Sequence, residues 1–216
     1  FYAVEKMDYL FHKTVPDRVL SPTLEPNLPG INDKFHRIPP VVRRTCRPEE
    51  YSKNPSRVLI MLSGSVFGSP VRISSKKYPF QIDIIGRDAP SGHQEQEGVA
   101  YHSKVKDSSS FLAAADLVII NGGFSAVSEA FIMRKPVVVI PVPRHWEQWV
   151  NGKSIQELGV GIMANEINLE NAMLEAFSRI EEFRQAYAKL PKINNGANEA
   201  AEKILPDIAK LLFFVL

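Results

Sequence analysis

From Arg57 onward, short runs of β-branched and aliphatic residues alternate with stretches whose apolar positions recur at helical spacing. Val58–Leu62, Ile82–Ile85, Gly98–Tyr101, Leu117–Asn121, Val137–Ile140 and Gly161–Met163 read as strands. Several are apolar at every position, the pattern of parallel strands covered on both faces. Ser108–Ala115, Ser125–Met133, Trp146–Leu158, Leu169–Ala188 and Ala197–Leu212 read as helices. The alternation implies βα crossovers, and so an α/β fold built on a doubly wound parallel sheet. Gly64–Pro79 fits this pattern least well, because it is short and Pro70 disfavours a helix there.

Residues 1–45 read differently. They carry Pro16, Pro22, Pro26, Pro29, Pro39 and Pro40 and one plausible strand, Arg18–Ser21. Such a stretch cannot bury a core alone. It is expected to be the remnant of a second domain, joined through a linker from Arg37 to about Asn54 to a main domain over 46–216 that carries the C-terminal helix.

Composition narrows the picture. Apolar residues make up 44% of the 216, enough for a buried core rather than disorder. With 26 basic and 24 acidic residues the net charge is +2, which supplies no broad basic field, so no nucleic-acid partner is expected. The single cysteine, Cys46, rules out an intrachain disulfide framework and a Cys-rich metal site, and a reducing, cytoplasmic setting is the simpler expectation. Arg43, Arg44 and Arg47 stand beside Cys46 in a way that lowers a thiol pKa, although an inert linker thiol is the plainer reading. No apolar run reaches the roughly 18 residues that a membrane span needs. The apolar end Leu211–Leu216 is a candidate for docking on protein, for self-association or for peripheral membrane contact.

In an open α/β sheet, ligands bind outside the carboxyl ends of the strands. The informative residues follow the strands here. The strand Leu117–Asn121 runs into Gly122-Gly123-Phe124-Ser125, where a helix opens. Glycines let backbone approach a ligand closely, Ser125 is a suitable N-cap, and the free N–H groups of a helix start suit a diphosphate. Glu129 lies about one turn in, where a carboxylate accepts hydrogen bonds from both ribose hydroxyls; a glycine turn with a glutamate favouring the helix dipole is the alternative. After the next strand, Glu147, Gln148 and Asn151 open another helix, and suit either sugar hydroxyls or solvent. Trp146 and Trp149 read as packing residues rather than a sugar platform. Ser63-Gly64-Ser65, after the first strand, is a weaker candidate for approaching phosphate or sugar.

Asn121–Ala130 and Glu147–Asn151, followed by Glu157-Leu158-Gly159-Val160-Gly161, resemble the donor-site signature of GT-B glycosyltransferases, the superfamily of MurG-like transferases, UDP-glycosyltransferases and archaeal relatives. The resemblance spans about residues 57–205 and implies a Rossmann-like GT-B C-terminal domain. It implies that Gly122, Gly123, Phe124 and Ser125 hold the diphosphate of a nucleotide-sugar donor, a UDP-sugar above all, and that Glu129 binds ribose. It assigns Glu147 and Gln148, with Asn151 nearby, to the donor sugar, and the backbone of Ser103–Val105, with Val105, to the base. It implies hexosyl transfer with inversion, with no metal and no cofactor. The acceptor and the base would come from a missing N-terminal domain, of which residues 1–45 are the tail, or from a partner chain; the chain alone is expected to be inactive. His12, His36, His93, His102 and His145 are candidates for a base by type alone. Two other classes stay open: a sugar-nucleotide epimerase, and a non-catalytic nucleotide-binding module.

Overall fold

The computed structural model describes residues 7, 10–25, 34–48, 50–62, 71–74, 77–92 and 94–215, with 207–215 by backbone only. Two compact units divide the chain: Phe1–Val42 with Ile193–Leu216, and Arg43–Lys192. The C-terminal helix thus groups with the N-terminal segment rather than with the larger unit that the sequence pattern joins it to.

In the larger unit six strands form one sheet: β3 (Arg57–Met61), β4 (Gln81–Ile85), β5 (Val99–Tyr101), β6 (Leu117–Ile120), β7 (Val137–Val139) and β8 (Gly161–Met163). Their spatial order is β5-β4-β3-β6-β7-β8, and every pairing is parallel. The order reverses between β3 and β6, which makes their carboxyl ends the topological switch point. All six expected strands are present, three of them a residue shorter at one end.

Five helices cover the sheet: α1 (Ser109–Ala114), α2 (Phe124–Ile132), α3 (Trp146–Glu157), α4 (Leu169–Ser178) and α5 (Ile180–Lys189). Val58, Ile60, Ile82, Ile84, Leu117, Ile119 and Val138 share a core with Met173 and Ala176 of α4 and Phe183 of α5. The alternate positions Leu59, Val118, Ile120, Val137 and Val139 are equally buried on the opposite face. Period-two strands with both faces covered are the reason these runs are apolar throughout; each large side chain so buried contributes about 1.5–3 kcal/mol. The single expected helix Leu169–Ala188 is two helices, which break at Arg179. A buried ion pair closes the start of the sheet. Asp116 accepts from Arg184 at 3.0 Å and from the Ser56 and Arg57 backbone N–H groups at 2.8 and 3.1 Å.

The smaller unit holds a parallel pair, β1 (Val19–Pro22) and β2 (Phe35–Ile38), of which only the first was expected, and the helix α6 (Ala197–Val215). The Asn195 side chain bonds both backbone groups of Val42, and the Gly196 N–H donates to the Pro40 carbonyl at 2.8 Å. No helix among the described residues is long and apolar enough to cross a membrane.

Candidate functional site

Strand β6 ends at the switch point, and Asn121-Gly122-Gly123 carries the chain into α2. The N-cap is Gly123, with φ −60° and ψ 132°, and not Ser125, which falls one residue inside the helix. Gly123 contributes no capping side chain, so a polar group must come from elsewhere to meet the first N–H groups. One does: the Phe124 N–H donates to Glu147 Oε1 at 3.3 Å.

The two glycines do different work. A Cβ on Gly122 would fall on the backbone carbonyl oxygen of Gln148 and 2.8 Å from its carbonyl carbon and Cα. A Cβ on Gly123 would meet nothing within 4 Å. Gly122 is therefore required for packing α2 against α3, whereas Gly123 is the glycine that leaves the helix start open to a ligand.

Two of the three polar residues opening α3, Glu147 and Asn151, are stitched to this loop, and Gln148 bonds the segment before α3. Gln148 Oε1 accepts from the Val142 N–H at 2.9 Å. Asn151 is buried, and its amide donates to the Gly122 carbonyl at 2.8 Å. Asn151 thus fastens the glycine turn instead of facing outward with Glu147 and Gln148. Trp146 and Trp149 stack on each other at 4.9 Å with planes 15° apart, and they are 66% and 40% exposed, so they are not core residues.

Glu129 stands one turn into α2 with a partner that the sequence does not suggest. Its two carboxylate oxygens accept from Arg43 Nε and Nη2 at 2.6 and 2.7 Å, a two-pronged ion pair, and Arg43 Nη1 reaches Asp107 at 2.7 Å. The hydrogen bond to Glu129 raises the Arg43 pKa above its ordinary range despite partial desolvation. The Ser109 hydroxyl and N–H hold the Asp107 carboxyl below the usual range, and Arg43 adds to the effect. Burial pushes the Cys46 thiol up, reinforced by the charge of Glu129 and opposed by Arg43, so the neighbouring arginines do not make it a thiolate.

Ser103, with φ 47°, follows β5, and its carbonyl accepts from Gly86 at 2.6 Å; Val105 beyond it is half-buried. Ser63, Gly64 and Ser65 lie outside the described residues, as does His93. His102 Nε2 lies 2.7 Å from Asp83, His145 is exposed beside α3, and His12 and His36 belong to the smaller unit. Among the described residues no three His, Cys, Asp or Glu side chains gather as a metal site.

A glycosyl transferase family 1 model matches residues 30–180 of the chain. The chain belongs to that family. Proteins with a similar sequence include the UDP-N-acetylglucosamine--N-acetylmuramyl-(pentapeptide) pyrophosphoryl-undecaprenol N-acetylglucosamine transferase of Clostridium novyi, 27% identical over 174 residues, covering 73% of this chain and 48% of that protein. The enzyme of the same name from Lachnoclostridium phytofermentans is 28% identical over 124 residues, 56% of this chain and 35% of that one. The chain spans less than half the length of either relative. Among solved structures, the spinosyn forosaminyltransferase SpnP superposes with a TM-score of 0.63 at 13% identity, covering 91% of this chain and 57% of its own. Acinetobacter baumannii MurG gives 0.56 at 15% identity, with 82% and 59% covered. The fold is that of a GT-B glycosyltransferase.

Proposed function

We propose that this family 1 chain binds a nucleotide-sugar donor, a UDP-sugar by preference, and stabilises the nucleoside diphosphate as it leaves during transfer to an acceptor. The observation that carries this reading is the start of α2, opened by Gly123 at the carboxyl end of a central strand, with a carboxylate one turn away. Charge develops on the diphosphate as the anomeric bond breaks. Fixed N–H dipoles aimed at it cost no reorganisation at that moment.

In this reading the backbone of Gly123, Phe124 and Ser125 receives the diphosphate. Glu129 takes the ribose hydroxyls, which requires its pair with Arg43 to open or to share, and leaves the guanidinium beside the phosphates. Glu147 and the Gln148 amide meet the sugar, and the Ser103–Val105 loop meets the base. A catalytic base and the remainder of the acceptor site, from a second domain or a partner chain, complete the reaction. The test is calorimetry with UDP, GDP, ADP and a panel of UDP-sugars. Binding of UDP ahead of the other nucleotides supports the reading, and no binding of any nucleotide overturns it. Incubating a bound UDP-sugar without acceptor and analysing the sugar separates transfer from epimerisation.

A further inference from the structure

Where β7 and β8 end, the chain forms an open cavity of about 500 Å³ that none of the donor-binding roles above uses. Val142, Pro143, Trp146, Trp149 and Met163 form much of its wall. Its polar lining is Arg144, His145 and Asn165, with no carboxylate among the lining residues. The volume and the mix, mostly apolar with a few polar groups, are those of a small-molecule site. Glu147 and Gln148 are not in its wall; Glu147 accepts from the Phe124 N–H and Gln148 from the Val142 N–H.

The stacked tryptophans fix its chemistry. Both belong to the exposed first turn of α3, and neither packs into the core. A sugar ring enters such a wall poorly, because its hydroxyls would lose water with few partners. A flat or extended apolar group loses nothing there and gains contact with the outside of the stacked indole pair. Arg144, held at φ 67° in the turn between β7 and α3, adds a cation to this wall.

We propose that this cavity receives the apolar portion of the sugar acceptor, an aromatic or aliphatic group carrying an anionic substituent that Arg144 meets. The inference rests on the donor reading above. It places the acceptor next to the sugar end of the donor, since Trp146, Glu147, Gln148 and Trp149 make up one turn at the start of α3.

The experiment uses the full 216-residue chain with 2-naphthoate, its neutral analogue 2-naphthalenemethanol, and UDP, each titrated by calorimetry. The parent binds naphthoate and UDP together without competition. Trp146→Ala and Trp149→Ala each weaken naphthoate at least fivefold and leave UDP within twofold; Arg144→Ala weakens naphthoate at least fivefold but changes the neutral analogue less than twofold. Because both tryptophans of the chain are in this wall, naphthoate also changes the whole tryptophan emission. Absence of naphthoate binding, displacement of UDP by naphthoate, or unchanged affinity in both tryptophan variants overturns the proposal while the donor reading stands. Loss of the anion preference alone overturns the role of Arg144. Naphthoate binding by a chain that binds no nucleotide overturns the acceptor role together with the donor reading.

Discussion

Substituting the two adjacent glycines separates a packing requirement from a ligand requirement. In Gly122→Ala the new methyl meets the backbone of Gln148, which cannot move without displacing α3. Overpacking of this kind costs about 1–3 kcal/mol, and a backbone obstacle puts this case at the upper end. In Gly123→Val the side chain enters open space from an ordinary extended conformation. Reduced freedom of the unfolded chain stabilises such a change by roughly 0.4–1 kcal/mol, and a poorer N-cap offsets about the same amount, so the net is close to zero. The same valine stands over the first N–H groups of α2. Losing one hydrogen bond to a charged diphosphate costs about 1.5–3 kcal/mol, or roughly ten- to hundredfold in affinity. Urea unfolding of both variants, followed by calorimetry with UDP and uridine, reads all these quantities. The expected outcome is a destabilised Gly122→Ala, and a Gly123→Val of parental stability that loses UDP but keeps whatever uridine affinity the parent has. A Gly123→Val chain that is folded and binds UDP like the parent refutes the diphosphate role. A Gly122→Ala chain as stable as the parent refutes the packing argument.

Four further outcomes are expected. Glu129→Ala weakens UDP by about 1–3 kcal/mol, measured by calorimetry; unchanged affinity in a folded variant removes Glu129 from the ribose. Glu147→Ala with Gln148→Ala weakens a UDP-sugar more than UDP, and because both side chains also hold backbone N–H groups, it lowers stability by about 1 kcal/mol per bond; equal losses for both ligands would reassign the pair. Arg184→Met strands the buried Asp116 carboxylate and costs about 3–5 kcal/mol in urea unfolding; a change under about 1 kcal/mol would show that the Ser56 and Arg57 N–H groups suffice. Burial raises the Cys46 pKa in the folded state, so its contribution is complete below the unfolded thiol value and is lost as pH rises through the folded one; stability should therefore fall on the alkaline side less steeply in Cys46→Ala than in the parent, and Cys46 should react slowly with a disulfide reagent at pH about 8, just below the ordinary thiol value. An identical alkaline slope in the two proteins would contradict this.

The sheet was legible because burial on both faces writes itself into composition: Leu117–Ile120 has no polar position to confuse it with anything else. The N-terminus of α2 was legible from Gly122-Gly123, but the cap was misplaced by two residues, since a serine is the commoner cap and nothing local says that Gly123 is extended. Phe35–Ile38 was missed because His36 and Arg37 interrupt an apolar pattern in a small, half-covered pair of strands. The break at Arg179 carries no proline or glycine, and the pairs of Arg179 with Glu175 before it and Glu182 after it look in the sequence like ordinary helical charges. Glu129 was placed correctly on the first turns of its helix, yet its pairing with Arg43 joins residues 86 apart and has no periodic signature. Asn151 illustrates the same limit: a polar side chain four residues after Glu147 looks alike whether it faces water or a buried carbonyl.

The fastening of the glycine turn to α3 has a consequence for how such a domain changes its substrate. Glu147 holds the Phe124 N–H, Asn151 holds the Gly122 carbonyl, and Gly122 rests on the Gln148 backbone. The loop proposed to receive the leaving group and the helix start proposed to meet the sugar therefore move as one piece. A substitution chosen to admit a different sugar would also re-aim the N–H groups proposed to face the diphosphate, so on that reading a change of donor carries a change of rate with it. Laboratory diversification of sugar preference at Glu147 and Gln148 should then need compensating changes in the glycine turn, and libraries that vary the two segments together should outperform those that vary either alone.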